Sequence, residues 1–353
     1  MTYPSHPPTH NFPSHLQPLC QAATHLRRPV TSLLRKISPT THRLIIIHDS
    51  LMSSVVQDFV SLPNAESYTF HSVSAFSIAL YTSEIIGQQI RKLVERTYSV
   101  MKDDELSFEG CFTSEFKKFI VTQHEYAKLS SGRIYNTCRV IEQPILELLE
   151  AEARNGGKLV WALGPFNPVN IQSVSKFSRK DSGPVNRCLE WLDKQASNSV
   201  ILVSFGTTTS FTEEQIIEIA IELEKSDQKF VWVVREADRG DIVNDDIVHA
   251  DLPEGMSMGV PIAAWPMHYD QPNNAVLVTK ILKVGILVKD WCPGRHVVAA
   301  AAVETSVRRL MGSKEGEEIR KRAAEMGRRI RKSVEDGGVT QMELESFIAH
   351  ARR

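Results

Sequence analysis

The feature that most limits the fold is a series of short runs, apolar at nearly every position, separated by longer stretches with helical spacing. Leu44-Ile45-Ile46-Ile47 is the first, and 199–205, 230–234, 260–264 and 284–288 follow it. A strand wetted on one face alternates apolar and polar residues. A continuous run needs both faces covered, as in a parallel sheet between layers of helix. Tyr68-Thr69-Phe70 reads as a further strand, and 55–62 and 75–94 read as helices between strands. This alternation predicts an α/β, doubly wound architecture. In the second half Thr212-Glu213-Glu214-Gln215 has the spacing of a capping box and predicts a helix over 216–225. From 296 to 353 the pattern is nearly all helical, interrupted near Gly312 and at Gly337-Gly338. Its basic stretch 328–332 reads as a solvated face.

A polar stretch between Pro168 and Pro184 divides the chain into two α/β-patterned halves. The predicted organisation is a first domain over 1–170, a linker over 171–185, a second domain over 186–335 and a closing helix over 336–353. Two such domains leave a cleft at the carboxyl ends of their strands, which is where ligands of these sheets bind. Lys plus Arg number 41 against 42 Asp plus Glu, so no charge excess selects a nucleic acid or an anionic membrane as partner. No apolar run approaches the ~18 residues of a membrane span. Residues 1–18 are rich in Pro and His and lack the apolar centre of a signal peptide. The expectation is a cytoplasmic monomer. Five scattered cysteines without a C-x-x-C pair read as free thiols rather than a disulfide framework or a zinc site. Without a G-x-G-x-x-G turn or a G-x-S-x-G elbow, the pattern points away from nicotinamide dehydrogenases and hydrolases.

Three strand-to-loop transitions carry candidate chemistry. Val203-Ser204-Phe205-Gly206-Thr207-Thr208-Thr209-Ser210 leaves a strand and enters the capped helix, whose amino end favours an anion such as a diphosphate. An unliganded polar turn is the alternative. In 259–271 a strand runs into a Pro-bounded loop that ends at Asp270-Gln271, a carboxylate and a carboxamide able to hold several hydroxyls, or simply to cap a helix. The third is 48–58, from His48-Asp49 to Asp58. A carboxylate at a strand end near a histidine can orient a general base, or cap the next helix. Side chains of His48 and Asp49, adjacent in a strand, point apart.

Together these passages resemble the plant UDP-glycosyltransferases, in particular the zeatin O-glucosyltransferases. The resemblance rests on His48-Asp49-Ser50-Leu51-Met52, Ser72-Val73-Ser74-Ala75-Phe76, Gly132-Arg133-Ile134-Tyr135-Asn136-Thr137 and Trp161-Ala162-Leu163-Gly164-Pro165. It continues through Cys188-Leu189-Glu190-Trp191-Leu192-Asp193, Val203-Ser204-Phe205-Gly206-Thr207, Leu252-Pro253-Glu254-Gly255 and 259–271, in family order over nearly the whole chain.

The resemblance implies a GT-B arrangement of two Rossmann-like domains facing a cleft, both incomplete here. It also implies glycosyl transfer from a UDP-sugar, glucose or xylose, to a hydroxyl of a small acceptor such as zeatin, with inversion. No metal and no cofactor are implied, the UDP-sugar serving as co-substrate. Asp270 and Gln271 match the pair on the sugar hydroxyls, and Thr207, with Thr209, matches the diphosphate loop. Asp58 matches the aspartate that supports the base, with Asp49 the less favoured position. Two departures stand out. The strand and loop carrying the general-base histidine are expected before 11–16, and none of His6, His10 or His15 has that context, so that base is expected to be absent. The second departure is a join at Met256. Leu252-Pro253-Glu254-Gly255 leads almost directly into 257–261, where the family places a further strand and most of the donor-binding signature. The alternative implied is a catalytically inactive remnant or splice form that at most binds the acceptor.

Overall fold

The computed structural model describes residues 16–86, 90–98, 110–166, 184–206, 209, 211–234, 252–291 and 301–353. In the first half, β1 (Leu44–Asp49), β2 (Ala65–His71), β3 (Gly132–Tyr135) and β4 (Leu159–Ala162) form one parallel sheet in the order β1-β2-β3-β4. The β3–β4 pairing depends on Gly132, because a Cβ there would lie 2.7 Å from the Leu159 carbonyl oxygen and 3.2 Å from both the Trp161 and Tyr68 rings. Helices Ala75–Ile86 and Arg139–Asn155 cover one face, and their Phe76, Leu80, Ile145, Leu146 and Leu149 are fully enclosed. Glu142 fixes how the two helices meet. Its buried carboxylate accepts from the backbone N–H groups of Ala75 at 3.1 Å and Phe76 at 2.7 Å, which satisfies donors that the start of a helix leaves open. Burial raises its pKa against those bonds.

In the second half, β5 (Val200–Val203) pairs in parallel with β6 (Lys229–Trp232), and β7 (Ile262–Ala264) pairs in parallel with β8 (Gly285–Leu287). Among the described residues the two pairs do not join into one sheet. The capping box forms as read. Thr212 N–H donates to the Gln215 side-chain oxygen at 3.0 Å and Gln215 N–H to the Thr212 hydroxyl at 3.4 Å, opening the helix Glu213–Lys225.

Several boundaries differ from the periodicity. The helix expected over 55–62 is one short helical turn, Ser53–Val56, continued as a 3₁₀ helix at Gln57–Ser61. The stretch 75–94 carries two helices, Ala75–Ile86 and Ile90–Thr97. The last helix, Val339–Ala351, returns to the first half. Phe347 meets Tyr68 and Trp161 edge-on at ring separations of 5.6 and 5.1 Å. Glu343 accepts from the Ala162 N–H at 2.6 Å and pairs with Arg139. Residues 167–183, which hold most of the expected linker, lie outside the described residues.

Candidate active site

Between the halves lie two cavities, of 260 and 570 Å³, that share Ser72, Val73 and Asp270 as a common wall. The smaller one belongs chiefly to the first half. Phe116, Ile120, Gln123 and Ala127, one stripe of the helix Ser114–Ala127, line it with Tyr81 and Phe112. Tyr269 enters from the second half. Its φ of 56° is a left-handed conformation uncommon for a side-chain-bearing residue. The turn brings its ring to 6.0 Å from Phe112 and 5.8 Å from Phe116. An aromatic chamber with a few polar groups at its mouth suits a planar, mostly apolar small molecule carrying a hydroxyl.

The carboxylates and histidines of that chamber are Asp49, His71, His124 and Asp270, beside hydroxyl groups of serine, threonine and tyrosine and the Gln123 carboxamide. Asp49 closes β1 and accepts from the Leu51 N–H at 2.8 Å, capping the 3₁₀ turn that follows. His48 points the opposite way, as neighbours in a strand do. Its Nε2 lies 3.2 Å from Ser130 Oγ, in a buried hydroxyl cluster with Ser67 and Thr69, and burial lowers its pKa. The ring of His71 stacks on Tyr135 at 4.8 Å, and its Nδ1 is enclosed without a hydrogen-bond partner. Burial brings the His71 pKa down to about 3 and that of His124 to about 4, so both rings are neutral near pH 7 and only weakly basic.

Polar and apolar residues share the lining of the larger cavity. Asn136, Thr137, Glu142, Ser204, Asp270 and Gln271 are among the polar ones, and apolar residues of β5, β7 and the helices packed on them complete it. Asp270 accepts from Asn274 Nδ2 at 2.7 Å, one helical turn on. Asn274 Oδ1 accepts from Ser74 at 2.6 Å and Ser77 at 3.1 Å, which ties this helix start to the first half. Gln271 spends its carboxamide oxygen on the loop, accepting from Met267 N–H at 2.8 Å and His268 N–H at 3.3 Å. Thr209 is buried, with its hydroxyl 3.3 Å from His268 Nε2, linking the loops after β5 and β7.

The sequence-predicted positions thus separate. Asp270 and Gln271 stand at the cavity junction, Asp49 faces the aromatic chamber, and Thr209 ties two loops. Thr207 lies outside the described residues, as do His6, His10 and His15. Asp58 lines neither cleft cavity. Both of its oxygens are taken by the Arg27 guanidinium, at 2.7 and 2.9 Å, and one also by the Thr31 hydroxyl at 2.6 Å. Those bonds hold its pKa down at about 2. Asp58 therefore stands as one half of an ion pair on the outer side of the first half, where it meets no cleft histidine. Sequence reasoning missed the aromatic lining, although the three- and four-residue spacing of Phe112, Phe116, Ile120, Gln123 and Ala127 is the helical signal that could have found it.

With this geometry in view, comparison with known proteins is specific. Residues 1–168 match the family described as glycosyltransferase, N-terminal domain. A zeatin O-glucosyltransferase of Phaseolus lunatus is 45% identical over 387 residues, covering 97% of this chain and 81% of the relative. A zeatin O-xylosyltransferase of Phaseolus vulgaris is 43% identical over 390 residues, covering 98% of this chain and 83% of the relative. Among solved structures, a UGT transferase from Siraitia grosvenorii in complex with UDP superposes with a TM-score of 0.74 at 22% identity, over 100% of this chain and 89% of that one. Phytolacca americana UGT2 complexed with UDP-2fluoro-glucose and pterostilbene gives 0.72 at 20% identity, over 100% and 85%. The chain belongs to the plant UDP-glycosyltransferase family, enzymes of GT-B fold. The span matched with the Phaseolus lunatus relative, 387 positions, exceeds the 353 residues of this chain, so that relative holds residues inside the span that are lacking here.

Proposed function

We propose that this chain is built to transfer a glycosyl group, glucose in the first instance, from a UDP-sugar to the hydroxyl of a zeatin-like acceptor. The single observation that carries the reading is the meeting of an aromatic chamber and a larger, partly polar cavity at Asp270. An acceptor in the first and an activated sugar at the mouth of the second bring hydroxyl and anomeric carbon together, and holding two reactants in register is itself a large part of such catalysis. The acceptor oxygen forms its bond to the anomeric carbon from the face opposite the diphosphate. The bond to the phosphate oxygen breaks, its electron pair leaves with UDP and the acceptor hydroxyl's proton passes to water, so configuration inverts.

Asp270 holds sugar hydroxyls as an acceptor, and the Gln271 amide adds donors while its oxygen pins the loop. Thr207 and Thr209 belong with the diphosphate. Asp49 takes the orienting role beside the acceptor, in place of Asp58, whose oxygens are occupied. The weakly basic His71 and His124 hold the acceptor rather than take its proton. No metal and no cofactor enter this scheme. Among the described residues no helix is long and apolar enough to cross a membrane. The chain is read as a cytoplasmic monomer.

A second reading, an acceptor-binding form without turnover, draws on the lack of any Lys, Arg or His in the lining of the larger cavity among the described residues, which leaves a diphosphate without a cationic side chain there. One experiment separates them: radiolabelled UDP-glucose with zeatin, scored for labelled glycoside, beside calorimetric titration of each ligand alone. Turnover that falls about 10²-fold in Asp270→Ala supports transfer, on the scale of losing one preorganised polar contact. Zeatin binding without turnover supports the second reading, and no binding of either ligand defeats both.

A further inference from the structure

Two imidazoles of the aromatic chamber take no part in breaking or forming a bond, and their surroundings define what they are placed to meet. His71 closes β2 with its Cα opposite Tyr135 in β3, and its carbonyl accepts from the Asn136 N–H at 2.9 Å. Its ring lies 4.8 Å from that of Tyr135 and inclined by only 17°, so the plane of the imidazole is set by the stack. Nδ1 is the enclosed nitrogen and has no hydrogen-bond partner, so the ring meets the chamber it lines through its Nε2 side. His124 lines the same chamber from the helix Ser114–Ala127, one turn beyond Ile120. It lies near enough that a charge on it disfavours one on His71.

Burial keeps both rings neutral, so each carries a single N–H and a single lone pair. For His71 the place of that proton follows. An enclosed N–H without an acceptor is a worse orphan than an enclosed acceptor without a donor. The proton therefore sits on Nε2, as a donor towards whatever fills the chamber. Other polar groups there are already engaged. Gln123 accepts from the Ser54 N–H and donates to Ser54 Oγ, both at 2.9 Å. The Ser77 hydroxyl donates to Asn274 at 3.1 Å, and that of Thr82 to the Ile78 carbonyl at 2.6 Å. The carboxylates of Asp49 and Asp270 only accept. Against these, His71 offers a donor, and His124 nearby a lone pair that can accept.

A planar ligand between aromatic walls presents its hydrogen-bonding groups at its edge. A donor with an acceptor nearby matches an edge on which a bare ring nitrogen lies beside an exocyclic N–H. An aminopurine carries that edge, and a phenol does not. We infer that His71 and His124 read it: His71 Nε2–H donates to a purine ring nitrogen, and a ring nitrogen of His124 accepts from the exocyclic N–H. The inference rests on the chamber's proposed role as the acceptor site, and it makes the acceptor class adenines substituted on the amino group, in preference to phenols of similar size.

The test is calorimetric binding to the full chain, with zeatin, its 1-deaza and 7-deaza analogues and 4-phenylphenol as probes. The unsubstituted chain is expected to hold zeatin about tenfold more tightly than the phenol and than one of the deaza analogues, on the scale of one hydrogen bond. His71→Phe, which keeps a flat ring on Tyr135, is expected to weaken zeatin about tenfold and to leave that deaza analogue unchanged. His71→Gln, whose amide nitrogen can take the place of Nε2, is expected to recover part of the loss. Equal weakening of zeatin and both deaza analogues in His71→Phe shows a packing role only and overturns the inference. Equal affinity of the unsubstituted chain for all four probes also overturns it and leaves the sugar-transfer reading standing, whereas binding of none defeats both. A last arm needs neither ligand nor variant. In nitrogen-15 spectra of histidine-labelled protein near pH 7, His71 is expected to carry its proton on Nε2, and a proton on Nδ1 overturns the inference whatever the affinities.

Discussion

Among the described residues, the strands of the amino-terminal half run β1-β2-β3-β4 without interruption, whereas those of the carboxyl-terminal half pair two by two. Both halves are written in the same local code, apolar runs joined by capped helices. The difference teaches that such a code makes strands and helices one at a time, while a sheet also needs every neighbour present. Where neighbours are complete, interior residues disappear from solvent, as Tyr68, Ile134 and Tyr135 do in β2 and β3. In the carboxyl-terminal half an apolar strand residue such as Leu202 stays 60% exposed at the edge of the larger cavity. That exposure forgoes the stabilisation that burial of an apolar side chain gives.

The contrast can be broken most forcefully at the last helix, which crosses back to the complete sheet. Phe347→Ala removes a buried ring from the Tyr68–Trp161 cluster and is expected to cost about 3 kcal/mol, read by urea unfolding. A loss below about 1 kcal/mol would show that the helix is not part of that half's core. Next come paired glycine substitutions. Gly132→Ala drives a Cβ to 2.7 Å from a β4 carbonyl, and Gly285→Ala drives one to 2.3 Å from the Ile262 carbonyl in β7. Each is expected to cost about 2–3 kcal/mol by overpacking. The first should lower the main unfolding transition, and the second should raise exchange mainly around β7 and β8. If both move one shared transition equally, the halves unfold as one unit and the contrast fails.

A smaller effect is expected at Thr209→Val, which removes the hydroxyl linking the loops after β5 and β7. About 1 kcal/mol should be lost from the carboxyl-terminal half alone, read as faster exchange in 201–203 with exchange in 132–135 unchanged. The smallest concerns pH. The Arg27 and Thr31 bonds bring the Asp58 pKa down to about 2, below its ordinary value of 3.8. Their contribution is present above about pH 4 and is lost as pH falls towards 2. Asp58→Asn should flatten that part of the acid unfolding curve while leaving zeatin binding intact. Loss of binding would return Asp58 to the cleft.

Much of this was legible from residues alone. The apolar runs placed β1, β2 and the described strands of the second half but not β3 or β4, and the Thr212–Gln215 spacing gave a helix start that formed with both reciprocal bonds. Site residues were legible only in part. Asp58 sits at a helical offset that fits a cleft carboxylate, yet Arg27, 31 residues away, claims both of its oxygens. Gln271 was readable either as a sugar ligand or as a cap, and the loop backbone takes its oxygen. His71 carried no signal at all, because nothing local announces that Tyr135 will stack on its ring.

The sequence by itself determined which segments become strands or helices and that they alternate, since hydrophobic period, capping and turn residues act over a few positions. The tertiary structure alone decided which side chains face the cleft, that the final helix belongs with the first sheet, and that Asp58 is drawn into an ion pair away from the cleft. Those outcomes depend on partners brought together from distant positions, where hydrogen bonds and burial reward pairings that no local pattern encodes.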